Sequence, residues 1–455
     1  MTRVTEELAG WAAGLRYEDL PAEVVHHAKR VLLDYVGATL LGSTSSSARI
    51  VQQYLGETSD RGPATVLGTS LELGPASAAL ANGTAAHGME VDDGYSPGSF
   101  HPGAPNLAAI LAVGQARMSD PDRILLATAV GFELSCRIAA VGHPATWRRG
   151  FHNTPLAGVF GAAASVATLL ETDAMTMASA LGLAGSHAGG LFEFLAAGSE
   201  VKRLHAGKAA RDGIVCAELA ARGLTGPATV LEGANGYLRA FAGGEVRADD
   251  LLRDLGTRWR MLRTYVKPYP CCRHLHGPID AVLALADDGA VDTSSVRSVT
   301  VETYDVAARH DAKAIGGLLD AQMSIPYAVA VTLTHGRPGV AHFESEFRDD
   351  PDVRRLVDLV EVREAADCIR AYPAERRARL TFRTVHGERS VQVDHPYGEP
   401  DNPVSDRDLE RKFLGLASPV VGADRAARIA ANVWAFDESG ALAALGEDTR
   451  VRART

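Results

Sequence analysis

The sequence predicts a mainly α-helical protein: a large all-helical domain built from residues 1–265 together with 401–455, and a smaller inserted α/β domain over residues 266–400. Three observations carry this. Aromatic residues make up only 6% of the chain while glycine is abundant, with 45 residues, a mix that suits closely approaching helices. Apolar residues recur at helical spacing through most of the first 265 positions and again in the tail. The long alternating runs fall in between, at Val296-Arg-Ser-Val-Thr-Val-Glu-Thr-Tyr304, Leu380-Thr-Phe-Arg-Thr384 and Arg389-Ser-Val-Gln-Val-Asp394. A chain of 455 residues is also long enough for two domains with ample core.

In chain order, residues 4–16 read as a short helix. Leu20-Pro-Ala-Glu-Val opens a second, with Pro21 in its first turn and Val24, Ala28, Val31, Leu32, Tyr35 and Val36 on one stripe. Gly42 and the polar run 43–47 end it. Asp34 lies beside the stripe, where a satisfied structural carboxylate is the favoured reading. Residues 63–73 read as two short strands around Gly68-Thr69. Pro75 starts an alanine-rich helix that carries Asn82, Thr84 and His87 towards Glu90-Val-Asp-Asp93. Two apolar helices follow over 104–140, a bland helix over 156–170, and another Gly/Ala-rich helix with His187 over 175–197. Lys202, His205, Lys208 and Arg211 recur at helical spacing and share one face. Past residue 266, Leu359 to Val362 adds a strand, Val385-His-Gly-Glu makes a hairpin turn, and Gln322 to Tyr327 leads into an apolar helix. In the tail, Ser405 with Asp408 forms a variant capping box, and a final helix from about Asp424 packs back on the first domain.

Two stretches concentrate chemistry. Lys267-Pro-Tyr-Pro-Cys-Cys-Arg-His-Leu-His276 holds two cations, two imidazoles and two thiols in ten residues. Its prolines disfavour helix, and helical period resumes at Ile279, Val282 and Leu285, so the polar group sits where a helix opens and favours an anion. The competing reading is a solvated loop. Glu90-Val-Asp-Asp-Gly94 precedes a glycine-rich loop and His101, locked by Pro102. A carboxylate pair with an imidazole can act as base and acid, while Asp-Asp-Gly is equally ordinary turn chemistry. Eight of the fifteen histidines lie between positions 87 and 276. With no HExxH, no CxxC, no P-loop and no strand-bound GxGxxG, the residues point to acid–base chemistry without metal or nucleotide.

Composition excludes other classes. Net charge is −10 with no long basic run, which argues against nucleic acid. Five cysteines, an odd and sparse set, argue against a disulfide framework and for a reducing cytoplasm. Glu6 and Glu7 interrupt any secretory signal pattern, and no uninterrupted apolar run is long enough to span a membrane.

Taken together, Leu20-Pro to Leu33-Asp34, Ala81-Asn-Gly-Thr-Ala-Ala-His87 with Asp92-Asp93, His101-Pro-Gly, Gly150-Phe-His152, Lys202 to Ala210 and Tyr269-Pro to His276 resemble the MmgE/PrpD family. That family includes 2-methylcitrate dehydratase, cis-aconitate decarboxylase and iminodisuccinate epimerase. The resemblance runs nearly end to end. It implies that the inserted domain is a lid, that the protein is a homodimer, and that catalysis needs neither metal nor organic cofactor. It matches His101, His152, Lys202, His276 and Tyr327 to family positions; the reading of the residues adds Asp93 to a catalytic set of His101, His152, Lys202 and His276, and puts Glu90, Lys208, Arg273 and His274 with Tyr327 in substrate binding. Members that dehydrate or decarboxylate often carry Asp-Phe-Asp-Asp-Thr where this chain has Glu90-Val-Asp-Asp-Gly94.

The expected function is therefore a cofactor-independent lyase acting on a small di- or tricarboxylate. Lys202, Arg273 and Lys208 would face the charge that develops on an enediolate-like group. His152 or His276, with His101 as a third candidate, would move the proton, and Asp93 would orient an imidazole or hold a hydroxyl. A 2-methylcitrate-type hydro-lyase is the first expectation. Epimerisation or decarboxylation on the same scaffold is the alternative, and a non-catalytic carboxylate-binding protein the outside one.

Overall fold

Helix predominates in the computed structural model, which describes residues 3–194, 199–243, 246–286 and 292–451. The chain divides into two units, Met1–Tyr265 with Ser405–Thr455, and Val266–Val404.

The larger unit begins with α1 (Val4–Gly14), α2 (Ala22–Gly42) and α3 (Ser46–Thr58). The period of residues 24–36 does bury one stripe of α2. The helix α3 is a departure from the sequence reading, which took the serine run as a stop only. Ser45 both follows α2 and caps α3, its hydroxyl accepting from the Ala48 N–H at 3.3 Å. Strands β1 (Arg61–Thr65) and β2 (Glu72–Leu73) pair antiparallel. Then come α4 (Pro75–Ala86), α5 (Gly103–Arg117), α6 (Pro121–Gly142), α7 (Asn153–Leu169), α8 (Ala174–His187) and α9 (Val201–Ala221). The helix α8 stops at His187, ahead of Gly189-Gly190, rather than running on; residues 195–197 of that expectation lie outside the described residues.

Glycine sets how closely these helices meet. A Cβ on Gly207 of α9 would lie 2.2 Å from the Leu80 carbonyl of α4, and one on Gly83 would lie 2.7 Å from Gly207 Cα. The two backbones touch there, and this crossing brings the His87 end of α4 to the Lys202–His205 face of α9. The helix α6 is long and apolar enough to cross a membrane by length and composition, but it is interrupted by charged residues and 89% of the qualifying window is buried inside the protein. It also carries a buried ion pair: Arg137 Nε donates to Glu133 Oε1 at 2.6 Å. The Arg137 guanidinium donates further to the carbonyls of Leu251, Arg253, Asp254 and Arg258, while Glu133 accepts from the Arg260 N–H. Every strong donor is used, as buried charge requires.

In the smaller unit, α10 (His276–Ala286) follows the cationic bend and a 3₁₀ turn, Arg273–Leu275. Strand β3 (Val296–Thr303) lies parallel to β4 (Val360–Glu364) and antiparallel to β5 (Ala378–Thr384), which turns into β6 (Gly387–Val393). The order across the sheet is β4-β3-β5-β6. Helices α11 (Ile325–His335) and α12 (Pro351–Leu359) complete the unit. Val299 and Val301 of β3, Leu380 and Phe382 of β5, Ile279 and Val282 of α10, and Val329 of α11 meet in one core.

The chain then returns to the larger unit through α13 (Asp406–Val421), α14 (Ala423–Trp434) and α15 (Ala441–Thr449). Ser405 caps α13, accepting from the Asp408 N–H at 3.1 Å. The helix near Asp424 is thus not the last, because Gly440 restarts the chain into α15.

Candidate active site

The end of α4, the loop 88–102 and the starts of α7 and α9 place a buried histidine–carboxylate cluster in the larger unit. His87 caps α4 and is fully buried. Its Nδ1 lies 2.7 Å from Asp92 Oδ2, so the ring donates there. Its Nε2 is buried with no hydrogen-bond partner. His101 follows the same logic. Its Nδ1 faces the Asp93 carbonyl at 2.7 Å and Asp92 Oδ2 at 3.3 Å. Both are acceptors, so Nδ1 holds the proton and Nε2 is the basic atom of the neutral ring. The two rings stand 4.8 Å apart, edge to face.

Asp93 is held differently. Its Oδ1 accepts from the Gly103 N–H at 2.9 Å, at the first turn of α5, and its Oδ2 is buried without a partner. A Cβ on Gly103 would lie 2.7 Å from Oδ1, so glycine is what admits the carboxyl. Burial, with the charges of Asp34 and Asp92, pushes the Asp93 carboxyl well above the ordinary carboxylate range. It is therefore a candidate acid, holding its proton where an exposed aspartate would have lost it. Behind it, α13 supplies Lys412, whose Nζ donates to Asp34 Oδ1 at 2.5 Å and to the Val91 carbonyl at 2.7 Å.

His152 enters from the start of α7. Its Nδ1 is 3.0 Å from Nδ1 of His205 on α9. One proton serves that contact, so one imidazole must be neutral at that nitrogen. Phe192 and Phe194 close over the ring at 5.3 and 5.2 Å, and His87 lies 6.0 Å away. Burial, helped by the charges of His87, His205, Lys202 and His101, holds His152 well below the ordinary imidazole range. Burial likewise lowers His205 to about 4. Lys202 pairs with Glu90, which the chain holds at a left-handed φ of 56°. Asp93, His101, His152, Lys202 and Glu90 thus gather in one place.

The other expected residues have different surroundings. Lys208 donates to the His187 carbonyl at 2.8 Å and pairs with Asp212 at 3.1 Å, and Arg211 also pairs with Asp212. The basic face of α9 is therefore largely paired within the unit. In the smaller unit, Arg273 bonds Glu399 at 2.8 Å and the carbonyls of Tyr397 and Pro396. It also donates to His276 Nδ1 at 2.7 Å, and His276 Nε2 faces the Cys271 carbonyl at 3.4 Å. These bonds tie the turn 396–399 to the start of α10. Tyr327 donates its hydroxyl to the His342 carbonyl at 2.6 Å. His274 Nδ1 meets the Tyr304 hydroxyl at 2.6 Å and Arg376 at 3.2 Å. Burial and the charge of Arg376 hold it well below its usual range.

Among the described residues, two groups bring three donor atoms within 4.8 Å: His87, Asp92 and His101, and Cys272, His274 and His310. In the first, imidazole N–H groups point at the carboxylate, which accounts for the closeness without an ion. In the second, the Arg376 guanidinium beside His274 places a fixed positive charge against the group, which opposes a dication. Sequence reasoning had singled out neither His87 nor His205 as site residues. The spacing of His87 to Asp92, and of Lys202 to His205 one helical turn on, was the signal available. Lys412 had none, being 378 positions from its partner.

Residues 6–248 match the MmgE/PrpD N-terminal domain and residues 269–438 the MmgE/PrpD C-terminal domain. A cis-aconitate decarboxylase-like protein of Aspergillus oryzae is 29% identical over 97% of this chain and 96% of its own length. The cis-aconitate decarboxylase of Aspergillus terreus is 27% identical, over 95% and 93% respectively. That of Homo sapiens is 28% identical, over 92% and 89%.

Proposed function

The chain belongs to the MmgE/PrpD family, and from that premise we propose that it is a lyase that decarboxylates a small tricarboxylate of the cis-aconitate kind. The observation that carries the reading is the gathering of Asp93, a buried carboxyl pushed well above the ordinary carboxylate range, with the imidazoles of His101 and His152, the latter held well below its ordinary range by burial and by charges that include Lys202. The relatives support decarboxylation over the dehydration expected from sequence, since those named are cis-aconitate decarboxylases.

Loss of carbon dioxide leaves a carbanion conjugated with the remaining carboxylate. Charge of that kind is best met by a cation already in place, which here is Lys202. The carbanion must then gain a proton. Asp93 supplies the proton, and the unprotonated Nε2 of His101 is a base through which a proton taken from water can replace it. Elimination of water would use the same groups in another order, with a base taking the α-proton and the acid meeting the leaving hydroxide. As proposed, no organic cofactor or metal takes part.

The test is proton NMR of chelator-treated protein in deuterated water with cis-aconitate, citrate, 2-methylcitrate and iminodisuccinate in turn. The expected result is loss of carbon dioxide from cis-aconitate with one deuterium entering the product, reduced about 10²-fold or more in His152→Ala. Loss of water from a hydroxy acid would make the protein a hydro-lyase. Deuterium wash-in without net reaction would make it an epimerase. No change with any of the four would overturn the substrate class.

A further inference from the structure

One thiol in the smaller unit faces a histidine whose other nitrogen is already committed. Cys272 is half-buried, whereas Cys136, Cys216, Cys271 and Cys368 are buried. Its Sγ lies 3.8 Å from His310 Nε2. His310 Nδ1 faces the Met323 carbonyl at 3.0 Å. That carbonyl can only accept, so Nδ1 carries a proton and the neutral ring turns its lone pair to the sulfur. Both residues are fixed by main-chain bonds. The Cys272 N–H donates to the Gln322 carbonyl at 2.9 Å, and the Ile325 N–H donates to the His310 carbonyl at 2.8 Å.

The charges around the pair favour an anion at sulfur. Cys272 stands at the N-cap of the 3₁₀ turn Arg273–Leu275, which runs into α10, so unsatisfied N–H groups and the helix dipole point towards it. The His274 ring stacks on His310 at 5.4 Å. Arg376, Arg273 and Lys267 all act on that imidazole. Against them stand Asp311, which acts on His310, and Glu399, held by Arg273 at 2.8 Å and Arg376 at 3.3 Å. Tyr304 contributes a neutral hydroxyl.

We propose that Cys272 and His310 form a thiolate–imidazolium pair, which makes Cys272 the site at which soft carbon electrophiles modify this protein. Burial opposes charge on His310, yet the Cys272 charge and hydrogen bond, with the Met323 carbonyl, carry it above the ordinary imidazole range. The thiol proton moves to Nε2. The sulfur lone pair then forms the carbon–sulfur bond, and with iodoacetamide the leaving group is iodide. Nothing in this step draws on the proposed lyase chemistry.

The experiment labels the chelator-treated full-length protein with iodoacetamide between about pH 5 and pH 9, and follows each cysteine by peptide mass spectrometry. Cys272 is expected to react first. The midpoint of its pH–rate profile is expected at least about one pH unit below the ~8.5 of a free thiol. His310→Ala should move that midpoint back towards the free-thiol value. The midpoint is a better readout than the rate at one pH, because a stabilised thiolate is also a weaker nucleophile. Earlier labelling of another cysteine, an ordinary midpoint, or a folded His310→Ala with an unchanged profile would overturn the proposal. Circular dichroism identifies a variant that does not fold, and the wild-type midpoint then decides.

Discussion

Replacing Lys412 by methionine isolates the contribution of the last long segment of the chain to the cluster. Lys412 Nζ bonds Asp34 Oδ1 at 2.5 Å and the Val91 carbonyl at 2.7 Å, and the Asp34 side chain is 1% exposed. Asp34 Oδ2 has no other partner. Lys412→Met therefore strands a carboxylate in a dry site, a one-sided break that costs about 3–5 kcal/mol. The lost bond to Val91 is part of that figure rather than an addition to it. The pH dependence separates this cause from simple loss of fit. Burial already raises Asp34, with Lys412 opposing, so removing the lysine raises it further. A carboxyl whose folded value is raised contributes stability that is complete below the unfolded value of about 3.9 and lost as pH rises through the folded value. The deficit of the variant should thus shrink towards acid and grow towards neutrality, whereas a packing defect would not change. The assay is urea denaturation followed by tryptophan fluorescence, which reports the larger unit because Trp11, Trp147, Trp259 and Trp434 all lie in it. Asp34→Asn in the same chain should recover most of the loss. A deficit under about 1 kcal/mol, or one equal at pH 5 and pH 8, would refute the reasoning, since an exposed pair would give such values.

Four further outcomes follow from the same geometry. His27 and His205 are lowered by burial to about 3 and about 4, and His152 falls well below its usual range; depressed histidines stabilise above about pH 6.5 and lose that contribution as pH falls, by up to ~1.4 kcal/mol per pH unit each. Urea midpoints at pH 7 and pH 5 measure it, and equal midpoints would contradict the burial argument. Gly207→Ala puts a Cβ 2.2 Å from the Leu80 carbonyl and 2.6 Å from Thr84 Oγ1, so a loss of about 1–3 kcal/mol is expected in the same assay. Gly103→Ala intrudes to 2.7 Å from Asp93 Oδ1; kcat should fall about 10-fold or more, and a wild-type kcat would show that Asp93 need not sit there. Binding a polycarboxylate should draw protons onto the neutral imidazoles, so calorimetry in buffers of different ionisation enthalpy should show net uptake and affinity that rises as pH falls; proton release would oppose the proposed binding mode.

What could be seen in the sequence was local. The stripe of α2, the alanines of α4 and the alternation of β3 all follow from periods that a reader can count, and each element formed near the place expected. The misses have a physical reason too. The serine run ended α2 as anticipated, but Ser45 also satisfied the first free N–H groups of α3, and composition does not say which neighbour a serine caps. The two apolar helices expected over 104–140 form as α5 and α6, but the sequence did not show that Glu133 and Arg137 of α6 neutralise each other one turn apart. The cationic bend at 267–276 did open a helix, and the partner of Arg273 could not be read from it, because Glu399 is more than a hundred positions away.

Burial drives three groups of the cluster in the larger unit, His152, His205 and Asp93, towards their uncharged forms. His87 and His101 share Asp92, so one carboxylate answers two rings. His152 and His205 share a single proton. Asp93, crowded by Asp34 and Asp92, keeps its own. Of the charges nearby, Lys202 is paired with Glu90 and Lys412 with Asp34, while Asp92 is met by the two imidazole N–H groups. An arrangement of this kind can be dry without carrying a large desolvation cost, since neutral groups are far cheaper to bury than ions. It is also poised. An anionic ligand that met Lys202 would supply the charge that the imidazoles lack and raise their affinity for protons, where the empty site holds it down. Proton affinity would then rise on binding of such an anion, the order that the proposed lyase chemistry requires.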